Sequence, residues 1–472
     1  MPQRRSHVAP SAEQSGLASA LADLRADYET PFPAEALAEA EQATASAPDL
    51  DLRDLPFVTL DPAGSRDLDQ AFHLERAGRG YRVHYAIADV PAFVQPGGAL
   101  DRAARDRGQT LYAADGSIPL HPRVLSEGSA SLLPDEERPA LVWSFGLDAE
   151  GAVTDVDLQR ALIRSRAQLD YIGAQASLDR GEESPAALLP EIGRLRLERE
   201  AERGGASLNL PDTEVVRYDD GRYGIERRHP LPIEDWNAQL SLMTGMAAAE
   251  MMLSAKVGVL RTMPQPGDEA FETFRRQTAA LRRPWTEGRY GDYLRGLERA
   301  DPLTLPILEA ASALFRGAGY VAFDGEIPAE TEQAAIGAPY AHATAPLRRL
   351  VDRWSLTVCL AVAEGKGIPD WARLSLTELP ELMQRSSSRA SQLNSRTIGL
   401  VEAALLAPHV GEVFEASVVR AANGEGEATI QLAEPAVTAR AKISPEAAPG
   451  SSVRVRLNSA EVQSGEIVFA AA

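Results

Sequence analysis

The hydrophobic pattern changes period twice along this chain, and that order of periods leaves few folds open. Residues 54–147 carry short aromatic and β-branched runs, LPFVTLD, QAFHLE, YRVHYAIADV and ALVWSFGLD, separated by turn clusters such as PAGS and RAGRG. These read as strands. From Ala161 the spacing turns helical, and most of 161–205, 233–256, 268–283, 302–319, 346–365 and 376–405 reads as helix. Beyond Pro408 strands return in VGEVFEASVVRA, EATIQLA, VTARAKI, SSVRVRLNSAEV and GEIVFA. Sheet first and helices later describe an α+β body, and five short closing strands suit an OB-type barrel. Ahead of the body, Leu17, Leu21, Leu24 and then Ala36, Leu37, Ala40 mark two short helices separated by Pro31 and Pro33. The expected division is a small helical module at 1–50, a large body at 51–408 and a barrel at 409–472.

Composition excludes several classes of function. Cys359 is the single cysteine, so neither a disulfide framework nor a cysteine-rich zinc site can form. The basic start MPQRR is followed by no apolar stretch, and no run of 18 apolar residues occurs. A cytoplasmic protein with no membrane partner is expected. There is no Walker loop, no G-x-S-x-G elbow and no HxxxH pair, so nucleotide triphosphate hydrolysis, serine-hydrolase chemistry and zinc chemistry lack support. The net charge of −20 argues against nucleic acid, unless arginines gather in one channel and some of the acids hold metal ions.

The segment VTLDPAGSRDLDQAFHLE supplies the candidate chemistry. Asp61, Asp67 and Asp69 lie at the junction of two strand runs. Asp67 and Asp69 are two apart and would share a strand face, with the DPAGS turn folding Asp61 back toward them. Magnesium takes oxygen ligands, commonly one or two carboxylates completed by phosphate and water, and a pair of such ions drives in-line attack on a phosphodiester. With 68 acidic residues in the chain, however, three aspartates around a turn are also ordinary turn composition.

The motif has partners. TLDPAGSRDLDQA resembles the acidic signature of the ribonuclease II (RNB) family, the stretch from IADVPAFVQ through TLYAADGS to WSFGLDAEG resembles that family's path to its tyrosine loop, and YAHATAPLRRLVDR resembles its Thr-Ser-Pro-Ile-Arg-Arg motif. The resemblance spans about residues 51–472. It implies an RNB-type catalytic domain followed by an OB-fold barrel, and a hydrolytic 3′-to-5′ exoribonuclease that releases nucleoside 5′-monophosphates. It further implies Asp61, Asp67, Asp69 and the residue at 70 as metal positions, Asp69 and Arg348 as catalytic, and Tyr112, Glu234, Arg348 and Arg349 as contacts to RNA. Mg2+, with Mn2+ as a substitute, would be the cofactor, RNA with a single-stranded 3′ end the partner, and a monomer the working form. On the residues alone, Tyr112 reads more readily as a packed aromatic, though on a loop it could stack on any base. Pro346 is expected as the first helical residue, placing Arg348 and Arg349 in a first turn whose N–H groups favour a phosphate; the plain alternative pairs Arg348 with Asp352.

The sequence departs from the family at defined positions. The fourth acidic position is Gln70, which brings no charge and motivates a rival reading, a catalytically silent RNA-binding protein on the same scaffold. Leu208 stands where the family has a stacking phenylalanine, Glu234 (or Asp235) is the candidate for the family's glutamate near the terminal nucleotides, and Asn394 stands in the place of a further glutamate and is not assigned a function. Where the resemblance implies two cold-shock domains ahead of the body, the expectation for residues 1–50 is the short helical module. A glycosidase, suggested only by paired carboxylates, lacks sugar-stacking aromatics near the acids. Arg385, Arg389 and Arg396, and a second basic stretch at Arg275, Arg276, Arg282, Arg283 and Arg289, could line a channel or simply be solvated faces.

Overall fold

The computed structural model describes residues 5–7, 12–206, 208, 212–217, 223–228, 230–298, 301, 303–420, 426–432, 437–444 and 446–472. The early strand runs form one six-stranded sheet, in the order Leu50–Asp51, Val153–Asp170, Phe57–Asp61, Gln70–Ala77, Gly80–Ala88, Glu137–Leu147. Gln70–Ala77 and Gly80–Ala88 are joined by a two-residue turn in which Gly78 takes φ 61°, the positive region that glycine enters without a Cβ clash. Val153–Asp170 touches both edges: residues 153–164 pair antiparallel with Glu137–Leu147, and 165–170 pair parallel with Phe57–Asp61. The sheet thereby closes on itself.

That long strand corrects the expected helix at 161–170. Ala161, Ile163 and Ser165 are buried while Leu162 and Arg164 between them are less so, a period of two that only strand geometry gives. Helices follow as Tyr171–Asp179 and Leu189–Arg203. Two further strands, Val257–Thr262 and Gly319–Asp324, pair antiparallel inside a region expected to be helical or irregular.

Each face of the sheet is covered. Phe72, Tyr85, Trp143 and Phe145 pack against Ile233, Leu240 and Met243 of the helix Pro232–Ala255, and against Leu356 and Cys359 of the helix Leu350–Ala363. Phe57, Ala71, Ala86 and Val142 pack against Val90, Phe93, Leu100 and Leu347 on the other side. In the N-terminal region, Leu17, Leu21 and Leu24 of the helix Ala12–Tyr28 bury against Leu393, Leu400 and Val401 of the long helix Leu379–Leu406. The second helix, Ala34–Gln42, places Glu39 where its carboxylate accepts from the Leu100 N–H at 3.0 Å.

Beyond residue 412 the five expected strands close into a barrel in the order Val413–Arg420, Glu427–Leu432, Thr438–Lys442, Glu466–Ala471, Ser452–Glu461. Its core alternates along the strands through Ala416, Val418, Ile430, Leu432, Val455, Leu457 and Phe469. Among the described residues, no helix is long and apolar enough to cross a membrane.

Candidate active site

The aspartates are presented by a strand end and an irregular segment. Asp61 closes the strand Phe57–Asp61. Residues 65–69 have no regular structure, and the next strand starts only at Gln70, so the expected shared strand face for Asp67 and Asp69 does not exist. The cause is Leu68, which is wholly buried and fastened on both sides. Its N–H donates to Ser131 Oγ at 2.9 Å, and its carbonyl accepts from Leu132 at 3.0 Å. With Leu68 pinned, Asp69 is buried to 1% exposure and Asp67 is left half-buried.

The second wall is the segment before the helix Leu350–Ala363. The helix starts at Leu350, not at the expected Pro346. Side chains take the N–H groups that a helical turn would otherwise arrange: Asp352 Oδ1 accepts from Ala345 at 2.7 Å, and Asp69 Oδ1 accepts from Leu347 at 2.8 Å. Arg349 then runs extended, at φ −132° and ψ 125°, bridged to Gln109. Consecutive arginines consequently separate. Arg349 turns inward onto Asp352, with Nε to Oδ2 at 3.0 Å and Nη2 to Oδ1 at 2.8 Å. Arg348 faces the acids, its Nε 3.2 Å from Asp69 Oδ2, with 43% of its side chain exposed.

Burial dominates the electrostatics. It pushes the Asp61 carboxyl up to about 6, against the pull of Arg348 and with a further push from Asp67. Burial likewise pushes Asp69 up to about 8, with Arg348 and the Leu347 N–H working in the other direction. Asp61 Oδ2 and Asp69 Oδ2 are buried and take no hydrogen bond. Two hard carboxylate oxygens without a hydrogen bond, with Arg348 as the neighbouring cation, are the donor type a divalent cation takes. Among the described residues, no three His, Cys, Asp or Glu side chains gather tightly enough to hold a metal by themselves. One or two protein carboxylates are nevertheless a common magnesium set when phosphate and water complete the shell.

Tyr112 sits on a hairpin of Leu111–Ala113 and Gly116–Ile118. The residue is 55% exposed and its hydroxyl lies 3.4 Å from Asp67 Oδ2, so it is not a packed aromatic. Gln70 is part of the frame: its amide nitrogen donates to the Thr344 carbonyl, which leaves only Oε1 for any ligand. Glu234 caps its own helix by accepting from the Leu231 N–H at 2.8 Å, and it also pairs with Arg228, the second contact at 3.1 Å. Leu208 packs against the Phe274 and Trp285 cluster. Asn394 is exposed.

Sequence reasoning passed over Tyr171 and Asn237. Asp170 pairs in register with Asp61, which brings the following residue, Tyr171, to the acidic end of the sheet. Tyr171 Oη accepts from Asn237 Nδ2 at 3.3 Å, and its ionisation is pushed up by burial, with Asp61 and Glu234 adding to the effect. Only the parallel pairing across more than a hundred residues makes this neighbour, and no local pattern marks it.

The profile of the RNB domain matches residues 50–357, and that of the RNase II-type exonuclease C-terminal S1 domain matches residues 412–472. The chain belongs to the RNB family. Ribonuclease R of Escherichia coli (strain K12) is 28% identical over 410 residues, covering 81% of this chain and 50% of the relative. Exoribonuclease 2 of Proteus mirabilis is 40% identical over 144 residues, covering 30% of this chain and 22% of the relative. The RNB chain thus spans about half the length, or less, of these curated relatives. In fold it is similar to the apo form of Mycoplasma genitalium RNase R, with TM-score 0.85, 17% identity and coverage of 98% of this chain and 78% of that one. It is also similar to yeast Ssd1, a pseudonuclease, with TM-score 0.69, 18% identity and coverage of 88% and 51%.

Proposed function

We propose that this chain is a metal-dependent exoribonuclease that hydrolyses the last phosphodiester at the 3′ end of single-stranded RNA and releases nucleoside 5′-monophosphates. One observation carries the reading: an exposed guanidinium, Arg348, stands against buried Asp69 and is charge-coupled to Asp61, with the open ring of Tyr112 alongside. Arg348 is placed to meet negative charge as it develops on the phosphoryl oxygens. Tyr112 offers a base one aromatic face, an interaction worth about 1–3 kcal/mol and indifferent to sequence. Asp61, Asp67 and Asp69, with Gln70 Oε1, are the oxygen donors that would hold Mg2+ or Mn2+; when bound, such ions supply an activated water and stabilise the leaving oxygen. Arg349 and Glu234 act in this reading by fixing the segments on which the contacts are carried.

A second reading rests on Gln70. Its amide already serves the Thr344 carbonyl, a bond that an ionised aspartate could not make, so position 70 is committed to the frame. A silent RNA-binding protein on the same fold follows if that commitment leaves the site short of ligands. Incubation with 3′-tailed RNA, with and without Mg2+, tests both. Mononucleotides released only with metal, and stopped by chelator, are the expected result. Tight RNA binding with no product in either condition would overturn the enzyme and leave the binder.

A further inference from the structure

The hairpin that carries Tyr112 is too small to hold its own shape. It consists of two three-residue strands, Leu111–Ala113 and Gly116–Ile118, and an isolated two-stranded hairpin is marginal in water. Its two faces meet different neighbours, because alternation sends Leu111 and Tyr112 to opposite sides. Leu111 and its ladder partner Ile118 are buried in one cluster with Leu17, Leu21 and Leu24 of the helix Ala12–Tyr28. Tyr112 projects from the other side toward Asp67. The N-terminal helix is therefore the back plate of the aromatic platform.

The turn at the hairpin's tip is held from the same helix. Arg25 Nη1 donates to the Asp115 carbonyl at 3.4 Å and lies 3.5 Å from Asp115 Oδ2. Gly116 leaves room for this approach, since a Cβ there would come within 2.9 Å of the same Arg25 nitrogen. The helix is in turn anchored from behind. Arg389 Nη2 donates to the Tyr28 carbonyl at 3.0 Å, and Arg396 Nη2 to Asp27 Oδ2 at 3.3 Å. Two of the arginines that could have lined a channel are thus engaged in holding the helix.

We propose that Arg25 is a positioning residue for the 3′-terminal nucleotide: by clamping the 114–116 turn it fixes the pose of Tyr112 beside the acids, so that the N-terminal helix sets the grip on the RNA end. This rests on the exoribonuclease reading for its substrate but not for its mechanics.

Two measurements on the Arg25→Ala full chain separate those parts. Hydrogen exchange needs no RNA. Amides 111–118 are expected to exchange at least about tenfold faster than in the wild type, while those of the Gly80–Ala88 strand stay unchanged; unaltered hairpin protection overturns the clamp. Steady-state kinetics on a short single-stranded RNA is the second measurement. KM is expected to rise about fivefold with kcat within about twofold, the low end of what one base–aromatic stack is worth, and Arg25→Ala is expected to have no effect in a Tyr112→Ala background. A rise that persists without Tyr112 means that Arg25 acts elsewhere and overturns the positioning role. A wild-type chain that neither binds nor shortens RNA overturns the exoribonuclease reading and the nucleotide part of the proposal together, while the exchange result still decides the clamp.

Discussion

The C-terminal barrel and the RNB body are built on different principles. In the barrel, the buried side chains from Ala416 to Phe469 are all apolar, and among the described residues every buried polar or charged side chain lies at or before Thr397. The body buries Asp69, Asp89, Asp101, Asp352 and Arg353. Its charges are not scattered. Asp101 meets Arg353 at 2.5 Å with both side chains 2% exposed, Asp89 meets Arg160 at 2.5 Å, and Asp352 takes both Arg349 and the Ala345 N–H. Regular strands satisfy their own backbone groups, so a barrel can be closed with apolar residues alone. In the irregular segment 344–349 the buried carboxylates of Asp352 and Asp69 accept from the Ala345 and Leu347 N–H groups, while in 65–69 Ser131 and Leu132 hold Leu68. Of these arginines Arg348 is the most open to solvent, with 43% of its side chain exposed beside buried Asp69.

The largest expected effect comes from breaking the body's deepest pair. Arg353→Met leaves Asp101 without its closest cation, and removing one partner of a buried pair costs about 3–5 kcal/mol. Urea unfolding should show that loss, with much of it recovered when Asp101→Leu is added; a loss under 1 kcal/mol would mean that the body does not depend on buried charge. Next, Arg348→Ala should lower kcat by about a hundredfold or more, by the precedent of a single removed charge-stabilising donor. A purely KM effect would place Arg348 in binding instead. Gln70→Asp should cost about 1–3 kcal/mol, because the buried Thr344 carbonyl loses its donor and faces a carboxylate. Unchanged stability with a lower magnesium requirement would instead make position 70 a ligand. The smallest change is expected in the barrel, where Ile430→Val should cost about 0.5–1.5 kcal/mol; a cost as large as that of Arg353→Met would erase the contrast between the two regions.

Legibility in the sequence follows the same divide. All five barrel strands stand in the alternation of residues 413–471, since each strand reports its own burial locally. The body was legible where its pattern is local, as in Gln70–Ala77 and Gly80–Ala88, and misread at 161–170, where arginines alternate with small and apolar residues. At the site, spacing marked Asp61, Asp67 and Asp69, and the resemblance to the RNB motifs added Tyr112 and Arg348 as candidates. Neither could say that Arg348 and Arg349 face opposite partners, or that Tyr171 arrives beside Asp61.

The chain's order of periods determined the α+β body, the closing barrel and the two N-terminal helices, because burial on a strand or helix repeats every second or every third to fourth residue and is written into neighbouring positions. Only the tertiary structure decided where the helix after Pro346 begins, which arginine meets Asp69, and what stands behind Tyr112. Those outcomes are set by hydrogen bonds and ion pairs between residues far apart in the chain, such as Asp69 with Leu347 and Arg25 with Asp115, and no local periodicity encodes them.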